Sequence, residues 1–411
     1  MAIWIIALVS ILLVLIRPFG LREAWWATGG ALVLVLFRLI APSAAAQAVA
    51  KGTDVYLFLV GMMIMSELAR REGVFDWLAR HAVRAAKGST SRLFLLIYCV
   101  GILVTVLLSN DATAVVLTPA VLAAVRTAEA EPLPYLLICA FIANAASFVL
   151  PISNPANLVV YNGQMPSLHR WLLTFGLPSI AAIVATFVVL RWLSSKSLSG
   201  LLKQNLPAGT LTPAAKLTLW GIALLAVTLL SASALNRDLG LPAFLCSLLA
   251  VLIVTLRDRS AMGDVAREIS WSVLPLVAGL FVLVEAVTST GALSSAVQAL
   301  LALQQWQRPQ GALAASFTIA LLSNLVNNLP SGLLSGTAVR AAGVMGPVRD
   351  AILIGVDLGP NLSISGSLAT ILWLIAIRRE GLEVSFGRFL GWGILVMPPA
   401  LFLAIIVLWK S

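Results

Sequence analysis

Apolar residues run through this chain in long blocks separated by short polar ones. In the first half the blocks cover 2–17, 24–41, 53–69, 92–126, 133–151 continuing to 163, and 170–192. A polar stretch, SSKSLSGLLKQNLPAGTLTP at 194–213, divides them from a second series at 214–235, 240–257, 271–289, 309–345, 349–378 with a break, and 386–409. Blocks of roughly 20 residues are what a helix needs to cross the hydrocarbon core of a bilayer. The pattern predicts an all-α polytopic membrane protein with about 10 transmembrane helices. Residues 2–17 read as a spanning helix, because no basic segment precedes the apolar run as it would in a signal peptide.

The two series share order and length, which predicts an internal duplication of 1–193 and 214–411 joined by a cytoplasmic linker at 194–213. Gly61, Glu67 and Gly73 are spaced six and six, as are Gly279, Glu285 and Gly291. LLSN recurs at 107–110 and 321–324, and both Asp111 to Asn144 and Asn324 to Asp357 span 33 positions.

Composition agrees: 60% of residues are hydrophobic and 11% charged. The net charge of +10 is spread over many loops rather than gathered in a stripe, so it predicts basic cytoplasmic loops and no nucleic-acid partner. The cluster RREGVFDWLARHAVRAAKGSTSR at 70–92 fixes the inner side, with 74–87 as an amphipathic helix at the interface. Alternating sides from there places 19 of the 27 basic residues inside, Lys203 among them, and 8 outside, Arg308 among them. Both termini then lie outside in the cell (inner) membrane, and each half crosses an odd number of times, so the repeats are inverted.

Blocks 92–126 and 309–345 return to the side they start from. Ser-Asn-Asp in the middle of the first run is a turn signal, and each arm is short for a full span. They read as re-entrant hairpins, while 133–163 and 349–378 read as broken helices. Backbone freed at such depth must be buried in protein or line a wet cavity.

Four polar clusters mark these breaks: Ser109, Asn110, Asp111 and Thr113; Asn144, Ser147, Ser153, Asn154 and Asn157; Ser323, Asn324, Asn327 and Asn328; and Asp357, Asn361, Ser363 and Ser365. Any single Ser could merely tie helices together in lipid. Asn-rich clusters at matching breaks in both halves point instead to a midplane substrate site, with Ser109, Asn110, Thr113, Asn144, Ser153, Asn154, Asn157, Ser323, Asn324, Asn327, Asn328, Asn361 and Ser365 as its lining. Asp111 and Asp357 are the carboxylates able to carry a proton within the membrane. Glu67, beside Arg70 and Arg71, reads as an interfacial ion pair, whereas Glu285 lies deeper in LFVLVEAVT.

Other chemistries fall away. Cys99, Cys139 and Cys246 lie in separate apolar blocks without metal-type spacing. His81 and His169 sit in polar loops, no nucleophile–base set is visible, and AKGSTS at 86–91 lacks the phosphate-loop pattern. The reading is a transporter, not an enzyme, needing no cofactor and driven by an ion gradient or by a separate ATPase.

LLSNDATAVVLTP, SNLVNNLP and IGVDLGPNLSISGSLATILW resemble signature segments of the arsenical pump membrane protein family, the arsenite/antimonite efflux carriers of the ion transporter superfamily. The likeness spans nearly the whole chain. It departs at Asn144-Ala145-Ala146, where that family is richer in Thr-Asn pairs. The resemblance implies extrusion of arsenite and antimonite in exchange for protons. It also implies an arsenite-stimulated ATPase able to dock on the inner loops at 70–92 and 191–216, and it allows a homodimer. A dicarboxylate or other anion transporter, a sodium/proton antiporter and a passive metalloid channel stay open as rivals.

Overall fold

In a computed structural model describing residues 1–161, 165–198, 200, 202, 210–306 and 309–410, the apolar blocks become helices, with no strand among the described residues. The end of the expected broken helix at 162–163, linker residues 199, 201 and 203–209, Lys203 among them, and Arg308 lie outside the described residues.

The first half contains α1 (Ala2–Ile16), α2 (Glu23–Leu36), α3 (Pro42–Lys51), α4 (Thr53–Arg71), α5 (Val74–Ala85), α6 (Thr90–Leu107), α7 (Thr118–Thr127), α8 (Leu133–Ala145), α9 (Pro155–Tyr161) and α10 (Leu168–Leu193). The second contains α11 (Pro213–Ala234), α12 (Gly240–Thr255), α13 (Ala261–Glu268), α14 (Val273–Val287), α15 (Leu293–Gln305), α16 (Gln310–Val326), α17 (Asn328–Ala342), α18 (Pro347–Leu358), α19 (Leu368–Arg379) and α20 (Phe386–Lys410). The two series match element for element. Local chemistry sets the starts: Ser89 accepts from the Arg92 N–H at α6, Thr212 from the Ala215 N–H at α11, and Ser367 from the Thr370 N–H at α19.

Single helices over Thr90–Leu107, Leu168–Leu193, Pro213–Ala234, Val273–Gly291 and Phe386–Lys410 are long and apolar enough to cross a membrane. α3 and α4 meet at a 47° bend and together make a sixth. The expected block 24–41 stops short at Leu36, because the chain turns through Arg38 at φ 55° and Pro42 then opens α3. α3, α13 and α15 were not expected.

α8 and α18 form the centre; α8 buries all but its first residue and α18 all but Pro347 and Arg349. α10 and α20 pack against each other across it. Outward faces stay apolar, with Leu173, Leu177, Ile180, Val184 and Val188 of α10 exposed at helical spacing, as lipid contact requires.

The repeated glycines sit where two helix backbones touch. A Cβ on Gly61 would stand 2.5 Å from the Ala243 carbonyl carbon of α12, and one on Gly279 would stand 2.7 Å from that of Ala27 in α2. Gly73 and Gly291 both adopt positive φ, 73° and 85°, turning the chain after α4 and α14. Glu67 pairs with Arg70, while Arg71 turns to Glu72, Asp258 and Asp264. Glu285 is not the deep carboxylate its sequence context suggested. It is part-exposed and pairs with Lys51 at 2.9 Å, because the helix ends two residues later and brings it to the rim.

Candidate functional site

Each expected hairpin is interrupted where its polar residues fall. α6 stops at Leu107, and a π-helical turn over Ala112–Leu117 leads into α7. α16 stops at Val326, and Asn327 takes φ 76° and caps α17 by accepting the Leu329 N–H at 3.4 Å. The helices of the other pair are interrupted between Ala145 and Pro155, and between Leu358 and Leu368.

The breaks dock on one another in two clusters. In the first, the Asn110 N–H donates to the Ser153 carbonyl at 3.0 Å, and Ser153 Oγ donates to the Val106 carbonyl at 3.3 Å. In the second, Asn324 Nδ2 donates to the carbonyls of Ala320 at 2.7 Å and Gly359 at 2.8 Å. Its Oδ1 accepts from Ser363 at 2.6 Å, its carbonyl accepts from Ser365 at 3.0 Å, and Asn327 Nδ2 reaches the Ser365 carbonyl at 3.4 Å.

Side-chain amides join the halves at these breaks. Asn144 Nδ2 donates to Asn361 Oδ1 at 3.0 Å, and Asn154 Nδ2 to Asp357 Oδ1 at 2.8 Å. Asn361 in turn donates to the Phe141 carbonyl at 3.0 Å. These amides thus hold together backbone that a helix would have satisfied by itself.

Beside the first cluster lies a cleft of about 120 Å³. Ser109 and Asp111 form its inner end, with Ala112, Val115 and Pro155. Leu59, Met62, Met63 and Ser66 of α4 make one wall, and Leu368 and Leu372 of α19 another. Glu67, Glu268 and Ser270 stand toward the mouth, where Glu268 is exposed. Ser109 Oγ accepts the Ala112 N–H at 3.1 Å, so its own proton remains available to a ligand. The Asp111 carboxylate makes no hydrogen bond or ion pair among those the described residues show. The charged side chains lining the cleft are all acidic: Glu67, Asp111 and Glu268. Arg70 stands behind the mouth on Glu67 and Glu268, and Arg71 holds Asp258, in the loop after α12, down to about 2. Such an arrangement offers hydrogen-bond acceptors to a neutral or cationic guest and repels a polyanion.

Of the expected site residues only Ser109 and Asp111 line this cleft; Asn110, Thr113, Asn144, Ser153, Asn154, Asn157, Ser323, Asn324, Asn327, Asn328, Asp357, Asn361 and Ser365 lie outside it. Thr113 turns to Thr105 at 2.8 Å. Asn157 donates to the carbonyls of Ser147, Leu150 and Pro151 within its own break, at 3.0, 3.4 and 3.3 Å. Asn328 opens α17 and is buried, and Ser323 is buried with its hydroxyl meeting no protein partner. The α4 wall, Glu268 and Ser270 were missed; nothing local in their sequence marks them, since only tertiary packing brings them to Asp111. Thr370, which accepts from Asn144 at 3.4 Å, was missed too, although it lies inside the motif carrying Asp357.

A family model described as Citrate transporter (CitMHS) matches residues 10–377. The arsenical pump membrane protein of Escherichia coli is 29% identical over 423 aligned residues, 98% of this chain and 97% of that protein. Its namesake in Yersinia enterocolitica is 28% identical, over 85% of this chain and 84% of that one. Among solved structures, the YdaH transporter of Alcanivorax borkumensis is similar with a TM-score of 0.57 at 14% identity, covering 89% of this chain and 86% of that one. MtrF of Neisseria gonorrhoeae gives 0.53 at 15%, covering 92% and 83%. These last two likenesses concern the fold alone.

Proposed function

This chain belongs to the citrate transporter family, and we propose that within it the protein exports arsenite and antimonite from the cytoplasm, exchanging the neutral trihydroxide for protons by alternating access. The protein is a membrane transporter. The observation that carries it is the cleft at Asp111. Its charged lining is wholly acidic, which suits a neutral hydroxyl donor and opposes the citrate that the family is described by. Arsenous acid presents three hydroxyls; Asp111 accepts from one, and Ser109 donates to another. Relatives named arsenical pump membrane proteins align over nearly the full chain, which supports the same substrate class.

We further read residues 1–193 and 214–411 as inverted repeats, the pairs α6–α7 and α16–α17 as re-entrant hairpins, and both termini as outside the inner membrane. The cleft mouth at Glu268 then faces the cytoplasm, the side on which an exporter loads. Arg70 and Arg71 lie on that face, where a separate arsenite-stimulated ATPase could dock. The test is uptake into everted vesicles of arsenite and citrate, each at equal concentration with an imposed proton gradient. Accumulation of arsenite alone supports the reading. Accumulation of citrate without arsenite flux overturns it in favour of the anion carrier.

A further inference from the structure

Two aspartates, one half-buried and one buried, lie in very different settings. Asp111 borders the open cleft. Asp357 is wholly buried, where the break after α8 meets α18. Asn154 Oδ1 accepts the Ala156 N–H at 3.0 Å, which fixes the amide so that its Nδ2 points at Asp357 Oδ1. Besides this amide, the Ser147 hydroxyl stands beside the carboxylate, although its geometric bond runs to the Asn144 carbonyl. The other oxygen, Oδ2, is buried and meets no protein donor.

The neighbourhood is short of donors generally. Oδ1 of Asn144 and Oδ1 of Asn157 are likewise buried and unmatched. Ser147 connects them, donating to the Asn144 carbonyl at 2.7 Å while its own carbonyl accepts from Asn157 at 3.0 Å. The unmatched oxygens at this junction are therefore all acceptors. No ion pair among the described residues includes Asp357; the other α18 carboxylate, Asp350, is occupied by Arg349 at 2.8 Å. The helices packed on α18 are α8, α9, α16, α17 and α20. Their charged side chains, Arg340, Arg388 and Lys410, are exposed at helix ends. Their titratable groups point elsewhere: Tyr161 donates to Asp350, Tyr135 to the Thr90 carbonyl, and the Cys139 thiol to the Tyr135 carbonyl. An ionised carboxylate with one amide and at most one hydroxyl beside it, an unmatched Oδ2 and no cation is poorly solvated, so a proton is the partner this site lacks.

We propose that the two aspartates divide the work, Asp357 carrying the exchanged proton and Asp111 contacting the arsenical. The inference rests on the proposed arsenite–proton exchange and deepens it. In the step itself, a proton from outside binds Asp357 Oδ2 and the carboxylate becomes a neutral acid. Its new O–H supplies a donor where the unmatched atoms are acceptors. Release of that proton to the cytoplasm restores the carboxylate, and no other bond is made or broken. Because the two sites are separate, the proton is bound without competing for the arsenical's place.

The experiment compares two modes of flux in proteoliposomes. Gradient-driven accumulation of labelled arsenite needs proton turnover, whereas arsenite–arsenite exchange at equal pH does not. Asp357→Asn is expected to lower accumulation at least tenfold while exchange stays within twofold of wild type and loses its pH dependence. Asp111→Asn is expected to lower both, with a raised KM for exchange. Equal loss of both modes in a folded Asp357→Asn protein, or normal accumulation by it, overturns the proposal. Should that variant fail to fold, wild type reacted with dicyclohexylcarbodiimide, which modifies protonated carboxyls in apolar surroundings, gives the answer by peptide mapping. Labelling of Asp357 that rises with acidity supports the assignment, and labelling of Asp111 alone refutes it. Wild type without any arsenite flux would instead sink the arsenite reading itself.

Discussion

Replacing Gly61 by Val tests how the scaffold around the cleft is built. The added Cβ would lie 2.5 Å from the Ala243 carbonyl carbon and 2.6 Å from both the Ala243 oxygen and the Phe244 nitrogen. Ordinary contact begins near 3.4 Å, so the nearest pair falls about 0.9 Å short before either γ-methyl is placed. These are backbone atoms and cannot rotate aside, so α4 and α12 must separate along their contact. Forced overpacking of this kind costs about 1–3 kcal/mol, and a β-branched residue brings little helix propensity in return. A fall in the melting temperature on the order of 2 °C follows for the purified protein in detergent. Gly279→Val, 2.7 Å from the Ala27 carbonyl carbon, should behave alike. Gly176→Ala, with nothing within 4 Å, should be neutral or stabilising by up to about 1 kcal/mol. Differential scanning fluorimetry of the three variants decides the matter. Gly61→Val melting with wild type, or below it by no more than Gly176→Ala, would refute the packing argument.

Asn144→Ala removes the donor to Asn361 and leaves its Oδ1 without that partner, so the folded state should lose about 1–3 kcal/mol, read as a lower urea or heat midpoint. Asn324→Ala strips donors from the Ala320 and Gly359 carbonyls and should abolish transport while leaving membrane insertion, seen by blotting, intact. Arg71→Ala should lower the melting temperature at pH 7, and the deficit should shrink on acidification. Asp258 sits near 2 against an ordinary 3.8, so its contribution is full above the ordinary value and fades as pH falls from there toward 2. A deficit that instead grew on acidification would refute this.

Much of the architecture was legible because membrane burial writes itself in hydropathy, and breaks write themselves in Asn, Ser, Gly and Pro. The interruptions at Ser109–Asp111, Asn327, Ser147–Asn154 and Gly359–Ser367 fall where those residues cluster. The spaced triads from Gly61 and Gly279 turned out to share a structural job at every member: a backbone contact, a rim ion pair, and a left-handed turn. Shorter elements escaped. α3 and α13 are too brief for a hydropathy window, though Pro42 and Lys51 bracket α3 as helix-end residues do. α15 (LSSAVQALLALQQ) carries Ser and Gln pairs that break its apolar run, between two stronger blocks. The cleft's far wall was illegible for a different reason. Met62, Met63 and Ser66 read as ordinary core until α4 is placed opposite Asp111, a long-range pairing that periodicity does not encode. Nor could spacing tell that Asp111 meets a cleft while Asp357 is sealed between halves.

The central claim is uphill, proton-coupled arsenite movement, with the arsenical bound in the cleft at Asp111. It is tested most directly by arsenite accumulation in everted vesicles, with and without an uncoupler, for wild type and Asp111→Asn. The account predicts accumulation above equilibrium in wild type, collapse on uncoupling, and none in the variant. Accumulation that survives the uncoupler, or a variant that pumps like wild type, would contradict it.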